Sequence, residues 1–113
     1  MKELTFALYR RTGWQPKVDV YRCSEGWLVK AELAGVPQQD IKIEVCNNSL
    51  IIEGQRKDWC VSTASESLSM EISYDWFSRV IQLPDAIEVE YVRTEYHDGM
   101  LLIYLTHSGE KQS

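Results

Sequence analysis

Apolar and polar residues alternate with a period of two along most of this chain. Between Trp27 and Leu33 every second residue is apolar, whereas Lys30 and Glu32 fall on the opposite face. This period is typical of a β-strand with one buried face, because successive side chains of a strand point to opposite sides. The same alternation predicts further strands within residues 18–20, 41–45, 50–53, 77–82, 92–97 and 100–106. No stretch shows the periodicity of an amphipathic helix over several turns.

Turn-forming residues separate the predicted strands. The separators are Ser24-Glu25-Gly26, Gly35-Val36-Pro37, Asn47-Asn48-Ser49, Pro84-Asp85 and Asp98-Gly99. The last pair predicts a hairpin between residues 92–97 and 100–106, since Gly and Asp both tolerate a positive φ. Short strands separated by turns at this spacing indicate an all-β fold, either an antiparallel β-sandwich or a barrel.

The composition is that of one ordinary globular domain. The chain has 113 residues and a net charge of −5, which argues against nucleic acid as a partner because such binding needs a basic surface. No apolar run approaches the roughly 18 residues of a membrane span, so we expect no membrane partner. The three cysteines show no C-x-x-C spacing, which argues against a disulfide framework or a zinc site. Free thiols fit a reducing compartment, and we therefore expect a cytoplasmic protein.

Few residues suggest catalysis. The glycines are single and scattered, so the chain lacks a phosphate-binding loop, and it contains no G-x-S-x-G motif. The only histidines are His97 and His107, and the sequence places no convergent partners beside them that would complete a catalytic or metal site. We therefore predict that the protein is not an enzyme and needs no metal or cofactor.

One connection between predicted strands is unusually long. From Arg56 to Asp75 there are twenty residues without Gly or Pro, and within them Leu68, Met70 and Ile72 alternate with polar residues. A strand with one apolar face needs a sheet to join. Two alternatives follow from the pattern: a hairpin that folds back onto its own domain, or a strand donated to a second copy in a symmetric dimer.

Five segments of the chain, in matching order and spacing, resemble motifs of the small heat-shock proteins, which are built on the α-crystallin domain. They are W-x-P-x-x-D at residues 14–19, L-x-G-V-x-x-x-D-I at 33–41, L-x-I-x-G-x-R at 50–56, F-x-R-x-x-x-L-P at 77–84 and T-x-x-x-D-G-x-L at 94–101. Ala34 stands where the family usually has Pro, and Thr94 and Asp98 replace the usual Ala and Asn. The resemblance is to the bacterial and plant type of the family.

The resemblance implies an immunoglobulin-like β-sandwich with a long, strand-bearing loop, formed by residues 14–106 between a short N-terminal arm (1–13) and a polar C-terminal tail (107–113). It implies an ATP-independent chaperone of the stress response, which holds partly unfolded proteins and prevents their aggregation. It also implies a homodimer formed by strand exchange. The dimer interface would contain Arg79, Leu68, Met70 and Ile72.

The resemblance further implies an apolar groove between two strands. In the family such a groove holds a partner's C-terminal I-x-I motif, and here it would be lined by Ile41, Ile43, Val45, Val92 and Tyr96. Residues 106–113 carry no such motif, so we predict that the groove accepts extended segments of client proteins. The alternative is that these side chains simply face the sandwich core. The missing motif and the short N-terminal arm also favour a dimer over a large assembly.

A second functional interpretation uses the same fold. A co-chaperone or scaffold module of the CS-domain type shares the β-sandwich but does not need the long, strand-bearing loop. A monomer in solution would favour that module, whereas a dimer would favour the chaperone.

Overall fold

The computed structural model describes residues 13–58, 66–84 and 89–107, so most of the N-terminal arm and of the C-terminal tail lies outside the described residues. Seven strands account for most of the described chain. They are β1 (Val18–Cys23), β2 (Gly26–Glu32), β3 (Ile41–Cys46), β4 (Ser49–Arg56), β5 (Asp75–Gln82), β6 (Tyr91–His97) and β7 (Met100–Thr106). A single 3₁₀ turn, Gln38–Asp40, precedes β3 and was not predicted from the alternation.

The strands form two antiparallel sheets, a four-stranded sheet of order β1-β2-β7-β6 and a three-stranded sheet of order β3-β4-β5. The inner faces of both sheets carry the predicted apolar positions, as the buried Val29 of β2 and Ile52 of β4 illustrate. The core consists of Trp27, Val29, Ala31, Leu33, Val36, Leu50, Ile52, Phe77, Ile81, Leu83, Leu101, Ile103 and Leu105. The predicted all-β sandwich is therefore confirmed, with no long helix among the described residues.

The predicted hairpin at Asp98-Gly99 is also confirmed. Both residues have a positive φ, 50° at Asp98 and 86° at Gly99, and they join β6 directly to β7. Gly99 also lies against the chain after β2, because its carbonyl accepts a hydrogen bond of 2.7 Å from the amide of Leu33. The turn therefore ties the β6–β7 hairpin to the segment that crosses from one sheet to the other.

The four edge strands of the sandwich differ in what covers them. The outer edge of β5 is bridged by Trp14, whose amide donates to the carbonyl of Trp76 and whose carbonyl accepts from the amide of Ser78, each at 3.1 Å. The edge of β1 has no further strand beside it among the described residues. The two remaining edge strands are β3 and β6, and Gln38, in the turn before β3, donates a hydrogen bond to Thr94 of β6.

The long connection holds no strand in its described part, residues 66–74, which we call the protruding segment. Leu68, Met70 and Ile72 are 89%, 64% and 64% exposed, although they alternate as in a strand. The pairing between β4 and β5 ends at Arg56 and Asp75 and does not extend into this segment. In the single chain the apolar side chains of the protruding segment therefore remain without a sheet.

Candidate binding groove and dimer surface

The first wall of the candidate groove is β3. Ile41, Ile43 and Val45 lie on its inner face, and each is half-buried and packs against the core. Their partners across the ladder are Gly54, Ile52 and Leu50 of β4. Because β3 is an edge strand, each side chain contacts the core on one side and is open to solvent on the other. These positions are compatible with a groove lining and also with the alternative that the side chains face the core.

The second wall is β6, at the edge of the other sheet. Val92 and Tyr96 lie on its inner face, opposite the buried Leu105 and Leu101 of β7. Val92 is 48% exposed, whereas Tyr96 is half-buried and donates a hydrogen bond of 2.9 Å to the carbonyl of Leu33. The five residues predicted from sequence thus occupy the inner faces of two edge strands on one side of the sandwich.

Two further residues belong to this region and were missed. Thr94 lies between Val92 and Tyr96 on the inner face, and its hydroxyl accepts a hydrogen bond of 3.3 Å from the side-chain amide of Gln38. The alternation along β6 was sufficient to find Thr94. No local pattern indicates Gln38, because its partner is 56 residues away along the chain. Since β3 and β6 belong to different sheets, no strand ladder joins the two walls.

The candidate dimer surface combines two features. One is the set of exposed apolar side chains of the protruding segment, Leu68, Met70 and Ile72. The other is the edge of β1, which no described strand covers and where Val20 and Tyr21 are 40% and 43% exposed. Exposed apolar side chains on an unpaired edge strand are a template for pairing with another chain.

Arg79 does not point outward. It shares the inner face of β5 with the buried Phe77 and Ile81, and it is itself half-buried. Its guanidinium donates a hydrogen bond of 2.9 Å to the carbonyl of Pro16, two residues before β1 begins. The side chain therefore connects the three-stranded sheet to the start of the strand whose outer edge is uncovered.

The outer face of β6 carries a small charge cluster that faces away from the groove. Glu95 lies between Arg93, with which it forms an ion pair, and His97, whose Nε2 is 3.0 Å from a carboxylate oxygen of Glu95. The hydrogen bond with His97, followed by that with Arg93, lowers the pKa of the Glu95 carboxyl below its usual value. These groups are exposed, so the cluster has the character of a solvated surface rather than of a catalytic site.

Within residues 13–58, 66–84 and 89–107, no group of three or more His, Cys, Asp or Glu side chains could hold a metal ion. In the same ranges no helix has the length and apolar character needed to cross a membrane. Cys23 and Cys46 are free thiols.

Comparisons with known proteins identify relatives of this chain. The sequence model of the Hsp20/alpha crystallin family matches residues 19–113. The 22.0 kDa heat shock protein of Arabidopsis thaliana is 31% identical over 91 residues, which cover 80% of this chain and 47% of that protein. Small heat shock protein C2 of Rickettsia felis is 30% identical over 88 residues, which cover 78% of this chain and 57% of that protein. This chain thus spans about half the length of these curated relatives.

A solved structure shares the fold over most of the chain. Heat shock protein 16.0 from Schizosaccharomyces pombe superposes with a TM-score of 0.71 at 25% sequence identity. The superposition covers 88% of this chain and 94% of that one. The two-sheet arrangement described above is therefore also that of a solved heat-shock protein.

Proposed function

This chain belongs to the Hsp20/alpha crystallin family, and we propose that it is an ATP-independent chaperone that holds partly unfolded proteins and prevents their aggregation. The observation that supports the proposal is that β3 and β6 are edge strands whose inner faces carry partly exposed apolar side chains. The proposed action is reversible binding rather than catalysis, so it uses no cofactor and no nucleotide.

The groove suits an extended, apolar segment of a client. The main chain of such a segment would pair with the free edge of β3 or β6, as in other cases of strand addition to a sheet. Its alternate side chains would enter the space between Ile41, Ile43 and Val92, which are half-buried or exposed in the single chain. Burial of apolar surface would supply the binding free energy. Folded proteins would not bind, because their apolar strands are already covered.

We further propose that the protein is a homodimer in which each chain donates its protruding segment to the β1 edge of the other. Trp14 bridges the edge of β5, and the edges of β3 and β6 are the ones that we assign to client segments. Within the described ranges no strand covers the β1 edge, which carries exposed Val20 and Tyr21. Addition of Leu68, Met70 and Ile72 there would cover apolar surface on both chains in a reciprocal, two-fold symmetric manner.

Arg79 supports the receiving strand in this proposal. Its hydrogen bond to the carbonyl of Pro16 holds the chain immediately before β1, and its half-buried position lies between the two sheets. Arginine is suited to this role because its planar guanidinium makes several hydrogen bonds at once and stays charged. We therefore assign Arg79 to the dimer interface as a residue that positions β1.

The proposed partners are thus unfolded clients and a second copy of the chain. The net charge of −5 does not favour nucleic acid or an anionic membrane surface. Free thiols such as those of Cys23 and Cys46 suit a reducing compartment, so the proposed location is the cytoplasm.

Suppression of client aggregation tests the proposed function. Wild-type protein should suppress light scattering by a heated client without nucleotide. Ile41→Ser removes apolar surface from the groove, which weakens client binding by about 1–2 kcal/mol. About five- to thirtyfold more of this variant should then be needed for equal protection. The matched control is Lys42→Ser, on the outer face of the same strand, which should protect as wild type does.

Two results would contradict the proposed function or the proposed location of client binding. A wild-type protein that gives no protection at a several-fold molar excess would contradict the chaperone function. An Ile41→Ser variant that is folded and fully protective would place client binding elsewhere. If Ile41→Ser does not fold, Val92→Ser on the other wall makes the same comparison, because Val92 is 48% exposed and contributes less to the core.

A further inference from the structure

The protruding segment leaves the domain beside a stack of side chains that neither the groove nor the proposed exchange uses. Trp14 packs between Phe77 and Arg56, with 5.1 Å between the ring centroids of Trp14 and Phe77. The guanidinium carbon of Arg56 lies 4.3 Å from the centroid of the Trp14 ring. Because Phe77 is fully buried, this stack is anchored in the core. Arginine over an aromatic face is an attractive arrangement that also restricts the arginine side chain.

The stack is connected by hydrogen bonds to the end of the protruding segment. Arg56 Nη1 donates to the carbonyl of Ser73 at 2.8 Å. The indole of Trp14 donates to the carbonyl of Asp75 at 3.2 Å, and the amide of Gln55 donates to the Asp75 carboxylate at 2.7 Å. The bonds from Arg56 and to the Asp75 carboxylate involve charged groups, which makes them stronger than bonds between neutral groups. Three side chains, those of Trp14, Gln55 and Arg56, therefore hold Ser73 and Asp75 by hydrogen bonds.

The backbone of Asp75 turns the chain at this point. Its φ is +76°, in the left-handed region that few residues other than Gly adopt. Asp75 pairs with Arg56 at the last position of the β4–β5 ladder. Without this turn, Tyr74 and Ser73 would continue alongside Lys57 and Asp58 as a longer hairpin. The conformation of Asp75 thus directs the preceding residues away from their own sheet.

We infer that Arg56 and Asp75 fix the direction in which the protruding segment leaves its own domain, so that the segment is held ready for a second chain. The inference rests on the proposed strand exchange. A segment that leaves its domain in one fixed direction loses less conformational entropy when it binds a second chain than a segment that can also fold back. Leu68, Met70 and Ile72 are exposed, so these three side chains do not hold the segment against its own domain.

The dimer dissociation constant, measured by sedimentation velocity over a dilution series, gives the first test. Arg56→Met keeps the length of the side chain but removes the guanidinium, and it should raise the constant at least about tenfold. The control is Arg93→Met, since Arg93 stacks over Tyr104 at 4.0 Å but lies on the other sheet. This control should stay within about threefold of wild type. The inference would be overturned if the dimer dissociation constant of Arg56→Met equals that of wild type, or if Arg93→Met raises this constant as much as Arg56→Met does.

A distance measured within one chain separates this inference from the exchange itself. Spin labels at Glu71→Cys and Lys42→Cys, with the three native cysteines replaced by serine, report the position of the protruding segment relative to β3. Met70→Asp is added so that the chain stays monomeric. Pulsed electron resonance then gives the distribution of label distances in the single, full-length chain.

In the labelled parent chain, which carries Met70→Asp but no change at Arg56 or Asp75, the distribution of label distances should be narrow. It should broaden in Arg56→Met and in Asp75→Val, because a β-branched residue resists the positive φ of the turn. It should stay narrow in Arg93→Met. A broad distribution in the parent chain, or a narrow one in both variants, would overturn the inference. A wild-type protein that is monomeric at every concentration would instead contradict the strand exchange, and the distances would still decide what Arg56 and Asp75 do.

Discussion

Met70→Asp is expected to convert the dimer into folded monomers. In the proposed exchange Met70 becomes buried against a second chain, and a carboxylate placed there without a partner costs about 3 kcal/mol or more. That cost raises the dissociation constant more than about a hundredfold. In the single chain Met70 is 64% exposed, so the same substitution should leave the fold and its thermal stability unchanged.

The measurement is absolute mass by light scattering after size exclusion. Wild-type protein should have about twice the 13.1 kDa mass of the chain, and Met70→Asp should have the mass of one chain. The matched control is Ser69→Asp, which adds the same charge at the neighbouring position on the opposite face and should remain dimeric.

Masses other than these expected ones would each contradict a different part of the proposal. A dimer that persists in Met70→Asp would show that Met70 is not buried by strand exchange. A stable assembly of many chains in the wild type would contradict the dimer as the final state. A wild-type monomer would favour a CS-type co-chaperone or scaffold module, which shares the sandwich and needs no exchanged strand.

Gly99→Val is expected to lower the stability of the fold by about 3 kcal/mol, the sum of two costs. The first cost is conformational, because Gly99 has a φ of +86° that a β-branched residue resists. The second is steric, because a Cβ at this position would lie 2.9 Å from the Cβ of Ala34. Both costs fall on the folded state, so the folding equilibrium moves toward the unfolded chain.

Thermal unfolding followed by circular dichroism tests this expectation. A loss of this size should lower the melting temperature by roughly 10–20 °C for a domain of this length. Asp98→Asn is the matched control, since Asn tolerates the positive φ of the neighbouring position and should unfold near the wild-type temperature. A Gly99→Val protein as stable as wild type would mean that the turn has another conformation in solution.

Much of the fold follows from the sequence alone because the relevant signals are local. The face on which Val29 or Ile52 lies depends only on the alternation within its own strand, and the structure buries both residues as predicted. The Asp98-Gly99 hairpin is equally local, since two adjacent residues and their φ preferences are sufficient to specify it. Five dispersed motifs were likewise sufficient to identify the family.

The positions of the residues proposed to line the groove follow from the same kind of local signal. Alternation placed Ile41 and Val92 on the inner faces of their strands, and the structure brings these strands to one side of the sandwich. The hydrogen bond from Gln38 to Thr94 was not predictable, because the two residues are far apart in sequence and no spacing rule relates them.

Local patterns in the sequence specify which residues can form strands, which face of each strand is apolar, and where the chain turns. Tertiary contacts specify which strand edges are covered, that Trp14 bridges β5, and that Arg56 reaches the carbonyl of Ser73. The segment from Leu68 to Ile72 shows why. Its alternation specifies an apolar face, but a strand also needs hydrogen-bond partners on a neighbouring strand. Those partners come from distant parts of the chain or from another molecule, and local periodicity carries no information about them.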